Sequence, residues 1–278
     1  MSNFIGFDKS FEESKVVLFG IPFDGTTSFR PGTRFGPQAA RAESFGIESY
    51  SPYLDLDLED YNFCDLGDID LPFGNTPRVL DDIYEFANDI MVKGKKPLMI
   101  GGEHLVTYPV FQSVLEAHPD VVVLHFDAHT DLRDDYMGEK MSHATVIKRV
   151  WDLIGDDRIF QFGIRSGMKQ EFEWAKTHTH LEKFKADTLS DIIEKIKDRP
   201  VYLTIDLDVL DPSVFSGTGT PEPGGLTFRE FMVAIVAMKD LNLIGADVVE
   251  LSPHYDHSGV STAVACKVIR EVALLLAK

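Results

Sequence analysis

The 278-residue sequence predicts an α/β fold in which helices cover a parallel sheet. Short apolar runs alternate with longer segments of helical periodicity, the pattern that strands joined by crossover helices leave in a sequence. An apolar fraction of 44% with 26% charged residues suits a large core. No Pro/Gly/Ser-rich linker, low-complexity tract or fixed-period repeat divides the chain, so residues 1–278 are read as a single domain.

In order, VVLFG at 16–20 reads as the first strand, and NFCDLGD near 62 is a weaker candidate. RVLDDIYEFANDIMVKG then places apolar residues at helical spacing before the strand PLMIG at 97–101. LVTYPVFQSVLEAH is the next helix, followed by strands VVVLHF at 121–126, RIFQFGI at 158–164 and VYLTI at 201–205. TFREFMVAIVAMKD reads as a helix, LIGADVV at 243–249 as the last strand, and VSTAVACKVIREVALLLAK as the closing helix. The loops PFDGTTSFRPGTRFGPQ and DPSVFSGTGTPEPGG are long and glycine-rich, which marks them as site-forming loops rather than boundaries.

Charge and composition narrow the function classes. With 27 Lys and Arg against 45 Asp and Glu, the net charge of -18 disfavours nucleic acid or an anionic membrane as partner and favours a cationic ligand. The first residues, MSNFIGFDKSFEESK, lack a basic start followed by an apolar stretch, and no run is long enough to span a bilayer, so a cytoplasmic location is expected. Cys64 and Cys266 are the only cysteines, and they suggest neither a disulfide framework nor a cysteine metal site. Cys266 falls in an apolar helical pattern and is expected in the core.

Three strands end in clusters of metal-type ligands. PLMIGGEH delivers His104, VVVLHFDAHTD delivers Asp127, His129 and Asp131, and VYLTIDLDVLDP delivers Asp206 and Asp208. Sites in open parallel sheets form outside the carboxyl ends of strands. Asp127, His129 and Asp131 alternate at i, i+2 and i+4, so an extended chain points them to one side, as it does Asp206 and Asp208. Four carboxylates brought together raise one another's pKa unless cations neutralise them. Six such ligands suggest two metals. An oxygen-rich set with two imidazoles and no thiolate fits Mn²⁺ better than structural zinc, with zinc, cobalt and iron as alternatives. Taken singly, each fragment reads as readily as a turn or a helix start, and the weight lies in their joint placement at strand ends. His178 and His180, in the polar stretch KTHTHLEK, have ligand-like spacing without carboxylate partners and are expected to be solvated. His118, His125, His254 and His257 have no comparable context, and His125 is expected to pack within its strand.

GGEH, DAHTD and TIDLDVLDPSVFSGTGTPEPGG, in this order, resemble the three signatures of the arginase/agmatinase ureohydrolase family. The resemblance extends to PFDGTTSFRPGTRFGPQAAR and DVVELSPHYDHSGVSTA and so covers nearly the whole chain. It implies a three-layer α/β/α fold around a mainly parallel eight-stranded sheet, and a homo-oligomer, often a trimer or hexamer. It also implies one metal held by His104, Asp127, Asp131 and Asp206, and a second held by Asp127, His129, Asp206 and Asp208, with Asp127 and Asp206 bridging. Three departures from the family pattern stand out: Glu103 where Asp is frequent, Thr204 where Ser is common, and Phe215-Ser216 in place of Ala-Pro.

Two adjacent cations can share a water and lower its pKa from 15.7 toward roughly 7, which suits attack on the poorly electrophilic guanidinium carbon. The resemblance then implies collapse of a tetrahedral intermediate to urea and an amine. In it Asp131 orients the hydroxide and passes its proton on, Glu250 pairs with the guanidinium, and His143 relays protons. Without the resemblance, Glu250 reads as a strand-end cap and His143 as a helix start beside the cap Ser142. The segment DLRDDYMGEKMSH, between Asp131 and His143, is expected to form the mouth. Its Asp134, Asp135 and Glu139 outnumber Arg133 and Lys140, which favours agmatine, with its distal ammonium, over arginine or guanidinobutyrate. Formiminoglutamate hydrolysis, a metal-dependent deacetylase and a catalytically idle metal-binding protein are the other readings.

Overall fold

In the computed structural model, which describes residues 3–278, the predicted strand runs become β1 (Val16–Gly20), β5 (Lys96–Ile100), β6 (Val122–Phe126), β7 (Ile159–Ile164), β9 (Pro200–Asp206) and β10 (Asn242–Val249). The weaker candidate near 62 is also a strand, β4 (Phe63–Asp68), and Tyr50–Ser51 and Leu56–Asp57 form a small hairpin, β2 and β3. An eighth strand of the main sheet, β8 (His180–Lys183), lies where a solvated stretch was expected. It is an edge strand paired only with β7, so its alternation is half exposed and its polar sequence, HLEK, leaves no apolar run to find.

The eight strands are all parallel, in the order β4-β1-β5-β10-β9-β6-β7-β8. Helices cover both faces, giving the three-layer α/β/α arrangement. Residues alternate between the two cores along each strand. In β1, Val16 and Leu18 face one core while Val17 and Phe19 face the other. The first core packs against α1 (Gly36–Glu43), α6 (Leu189–Ile196), α7 (Phe228–Ala237) and α8 (Val260–Ala277). The second packs against α2 (Thr76–Val92), α3 (Thr107–Ala117), α4 (Val146–Ile154) and α5 (Lys169–His178). Asn75 caps α2 by accepting from the Arg78 N–H at 3.2 Å, and Pro77 sits in its first turn, where a missing N–H costs nothing.

Cys266 and Cys64 are both buried and free. Phe215, from the Phe-Ser departure, is fully buried in the first core. Among the described residues no helix is long and apolar enough to cross a membrane.

The topology decides where function can sit. The four central strands β5, β10, β9 and β6 are neighbours, and their carboxyl ends carry Glu103-His104, Glu250, Asp206-Asp208 and Asp127-Asp131 respectively.

Candidate metal centre

All six predicted ligands converge above those strand ends. Asp127 is fully buried, and its two oxygens face different imidazoles: Oδ2 lies 3.1 Å from His104 Nδ1, and Oδ1 lies 3.4 Å from His129 Nδ1. His104 Nδ1 is also 3.4 Å from Asp131 Oδ2 and 3.4 Å from Asp206 Oδ2. Around His129, Asp208 Oδ2 completes the group at 3.1 Å. Asp208 is held by the Ala128 N–H on its other oxygen, and Asp206 Oδ1 accepts the Asp208 N–H at 2.9 Å. Only Asp127 therefore presents one oxygen to each imidazole, and the Asp206 oxygens face His104 and the following backbone.

The tautomer of His104 is set from behind. Thr204 spends its one hydroxyl proton on Asp247 Oδ1 at 2.6 Å, so it can only accept from His104 Nε2 at 2.8 Å. Asp247 is buried and also receives the Tyr202 hydroxyl at 2.6 Å. Nδ1 is thereby left with its lone pair among three carboxylates, an arrangement that requires a cation. Without a metal a proton takes that place. Burial pulls the His104 pKa down, but Asp127, Asp131 and Asp206 outweigh it and raise it well above the ordinary value. His129 is raised likewise, by Asp208 and Asp127 against burial. The donor set fits divalent ions: carboxylate oxygens, two imidazole nitrogens and no sulfur.

Asp131 and Glu250 adopt left-handed backbone, with φ of 52° and 66°, conformations that cost a side-chain-bearing residue roughly 1–2 kcal/mol each. Such strain gathers where a side chain must be aimed rather than packed. Glu250 is buried, accepts the His104 N–H at 2.9 Å, and lines the cleft, so its role as a mere cap of its own turn is not what the structure shows. His143 does begin a helical turn after Ser142, and it lines the same cleft of about 290 Å³ with His104, His129, Asp131, Asp206 and Glu250.

Sequence reasoning missed two further contributors. His125, correctly expected inside its strand, is fully buried and donates from Nε2 to Asp127 Oδ2 at 2.9 Å. Gln161 imposes that tautomer. Its Oε1 accepts from Thr179 at 3.0 Å, so its amide donates to the Thr130 carbonyl at 2.9 Å and to His125 Nδ1 at 3.1 Å. His125 thus stands close to the His104–Asp127 cluster but has no lone pair to offer a metal. The signal was available, because the i, i+2 alternation that groups Asp127 with His129 includes His125. Thr204 was noted only as a departure, yet it is the partner that orients His104.

Other expectations are corrected. His178 lies 2.7 Å from Asp156 and stacks on Trp174 at a centroid distance of 4.2 Å, and His180 bonds Thr188 at 3.0 Å, so neither is simply solvated. The acidic mouth also disperses. Asp134 turns toward Lys148 and Arg149, at 3.6 and 3.8 Å, and Asp135 accepts the Gly138 N–H within its own turn. Glu139 lines a neighbouring cavity of about 780 Å³ that shares Ser28 and Tyr136 with the cleft.

The carboxylate crowding has a measurable consequence. Asp131 is raised from 3.8 to about 7 by burial and Asp127, and Glu103 from 4.5 to about 7 by burial, partly offset by Thr26 and Thr27. Each binds its proton more tightly in the folded chain, so its contribution to stability is full below the unfolded pKa and is lost as pH rises to about 7. His143, lowered from 6.5 to about 4 chiefly by burial, opposes this over part of the window. Metal-free protein should therefore lose stability on the order of a few kcal/mol between about pH 4 and 7, and divalent ions should remove the decline. Thermal melts of chelated and metal-loaded protein across that range check it, and a chelated melting temperature that climbs steadily with pH would contradict it.

Fold and cluster together define the class: an α/β protein with an oxygen-rich divalent-metal centre at the carboxyl ends of adjacent parallel strands. The chain belongs to the arginase family, which matches residues 14–275. It is 50% identical to the agmatinase of Bacillus subtilis (strain 168) over 275 residues, 98% of this chain and 95% of that protein. Its structure resembles that of a candidate agmatinase from Clostridium difficile, with a TM-score of 0.95 and 54% identity over 96% of this chain and 99% of that one. The guanidinobutyrase of Pseudomonas aeruginosa is more distant, 35% identical over 94% of this chain and 86% of that protein.

Proposed function

We propose that the chain hydrolyses agmatine to putrescine and urea, using two Mn²⁺ ions held by His104, Asp127, Asp131, Asp206, His129 and Asp208. The observation that carries this is Asp127, one oxygen to each imidazole, in a chain half identical to a bacterial agmatinase. The wall of the cleft supports a cationic substrate, because beyond the metal ligands it presents Glu171 and Glu250 against Arg133 as its one guanidinium. Arg133 is itself drawn toward Glu171 at 3.6 Å and lies over Tyr136.

Two divalent ions held there would supply an activated water near neutral pH and offset the carboxylate charge. Glu250 receives the guanidinium and orients its carbon toward the water held by Asp131. The water oxygen bonds to that carbon, the bond from the same carbon to the nitrogen carried by the butyl chain breaks, and that nitrogen leaves as an amine of putrescine. Asp131 takes the water proton and returns it to the departing nitrogen. His143 is neutral at pH 7, since burial lowers its pKa to about 4, and exchanges the remaining proton with solvent.

The whole chain is read as one domain, supported by eight strands between residues 16 and 249 in one sheet. A homo-oligomer, trimer or hexamer, belongs to the same proposal. A cytoplasmic location is proposed with it, and two free buried cysteines suit that compartment.

Urea release from agmatine, arginine and 4-guanidinobutyrate by manganese-loaded protein tests substrate choice. Agmatine should have the highest kcat/KM, by about tenfold or more, the factor that a 1.4 kcal/mol difference supplies. An equal or higher value for either carboxylate-bearing compound would refute the substrate while leaving the metal chemistry intact.

A further inference from the structure

The loop after β1 is pinned to the end of β5 by a buried carboxylate that binds no ligand in the scheme above. Glu103 is 1% exposed. Its oxygens accept the Thr26 N–H at 3.1 Å, the Thr26 hydroxyl at 2.6 Å and the Thr27 hydroxyl at 2.9 Å. The approach is close: Glu103 N–H donates to the Phe23 carbonyl at 2.8 Å, and a Cβ on Gly102 would lie 1.8 Å from that carbonyl oxygen. Only glycine at 102 lets the two segments meet.

Thr26 then faces His143. A hydroxyl has one proton and two lone pairs, and this proton goes to Glu103 Oε1, which stays an acceptor whether Glu103 is ionised or carries a proton on the Oε2 that faces Thr27. The oxygen is therefore only an acceptor toward His143, whose backbone N–H it receives at 3.1 Å and whose Nδ1 lies 3.5 Å away. A bare Nδ1 would set lone pair against lone pair. A protonated Nδ1 is attracted, which leaves the lone pair on Nε2, 3.3 Å from Ser28 Oγ at the cleft wall. Tyr136 packs edge-on against the ring at 5.7 Å and limits its rotation.

We infer that Glu103 is a positioning residue that, through Thr26, holds His143 in the Nδ1–H tautomer with Nε2 free to exchange protons in the cleft. This rests on the reading of His143 as the proton-transfer group. It also gives a structural part to one of the departures from the family pattern, since the longer Glu103 spans the gap to Thr26 and Thr27.

The test uses Thr26→Val, which removes the hydroxyl at nearly constant volume, Thr26→Ser, which restores it, and Glu103→Leu, which removes the acceptor. Thr26→Val and Glu103→Leu should lower kcat about 10- to 100-fold, part of the ~10²–10⁴ that a positioned acid or base supplies, while KM for agmatine changes little. Thr26→Ser should recover most of the turnover, with metal content unchanged throughout. In the zinc-loaded full chain, ¹⁵N-histidine spectra should show His143, assigned by its absence in His143→Ala, as Nδ1–H, and Thr26→Val should lose that preference. Should Glu103→Leu not fold, the Thr26 pair and the spectra decide. Wild-type kcat in Thr26→Val, or an Nε2–H tautomer in the unmodified chain, would overturn the inference. Full turnover in His143→Ala would instead sink the proton-transfer reading, and the tautomer spectra would still judge the contact.

Discussion

Asp127→Asn is expected to empty both metal positions and to reduce urea formation from agmatine by more than the ~10- to 100-fold that losing an outer partner of a metal ligand costs. One Asp127 oxygen faces His104 and the other faces His129. An amide replaces one of them with an NH₂ group that can only donate, so whichever way it turns, one cluster loses an acceptor. His125 donates to Oδ2 and the His129 N–H donates to Oδ1, so either orientation also sets the amide NH₂ against a donor. Asp208→Asn should weaken mainly the His129 side, where its Oδ2 lies. Metal content after manganese loading, measured beside steady-state kinetics, separates these outcomes. Wild-type stoichiometry in Asp127→Asn, or equal losses in Asp127→Asn and Asp208→Asn, would show the ligand assignment to be wrong.

His143→Ala and Glu250→Gln should keep their metal and lose most of their turnover, for different reasons. Loss of a positioned acid or base costs about 10²–10⁴-fold, so His143→Ala should fall in that range and regain some activity in added imidazole. Glu250→Gln can still accept the His104 N–H through its remaining oxygen, so the local backbone should hold. It leaves the guanidinium without its counter-charge, and breaking a buried ion pair costs roughly 3–5 kcal/mol. Its defect should extend to every guanidino compound tried and should not respond to imidazole. Full urea-forming activity in either variant, purified and metal-loaded, would remove that residue from the mechanism.

The sequence by itself determined most of the strands, since buried parallel strands must be continuous apolar runs, and VVLFG, VYLTI and LIGADVV can be little else. It also singled out the six residues that converge in the structure, through their joint placement at strand ends; the two-residue period was not the cause, since Asp131 is left-handed and Asp208 lies in a 3-10 turn. Edge strand β8 escaped because one flank faces solvent and HLEK needs no apolar run. Helix α4 carried a legible apolar stripe in VIKRVWDLI that went unread, whereas α5, KQEFEWAKTH, is too polar to announce itself. Asp134, Asp135 and Glu139 could be counted but not aimed, since a loop has no fixed period from which direction follows. What only the tertiary structure decided was strand order and the contacts that depend on it. β10, last in sequence, enters between β5 and β9 and carries Glu250 beside His104, 146 residues away. The same packing brings Asp247 and Thr204 behind His104, and Thr26 onto Glu103 and His143. Parallel neighbours are joined by long crossovers, so adjacency is settled by how helices fill the two faces of the sheet, and no local pattern in the chain records that choice.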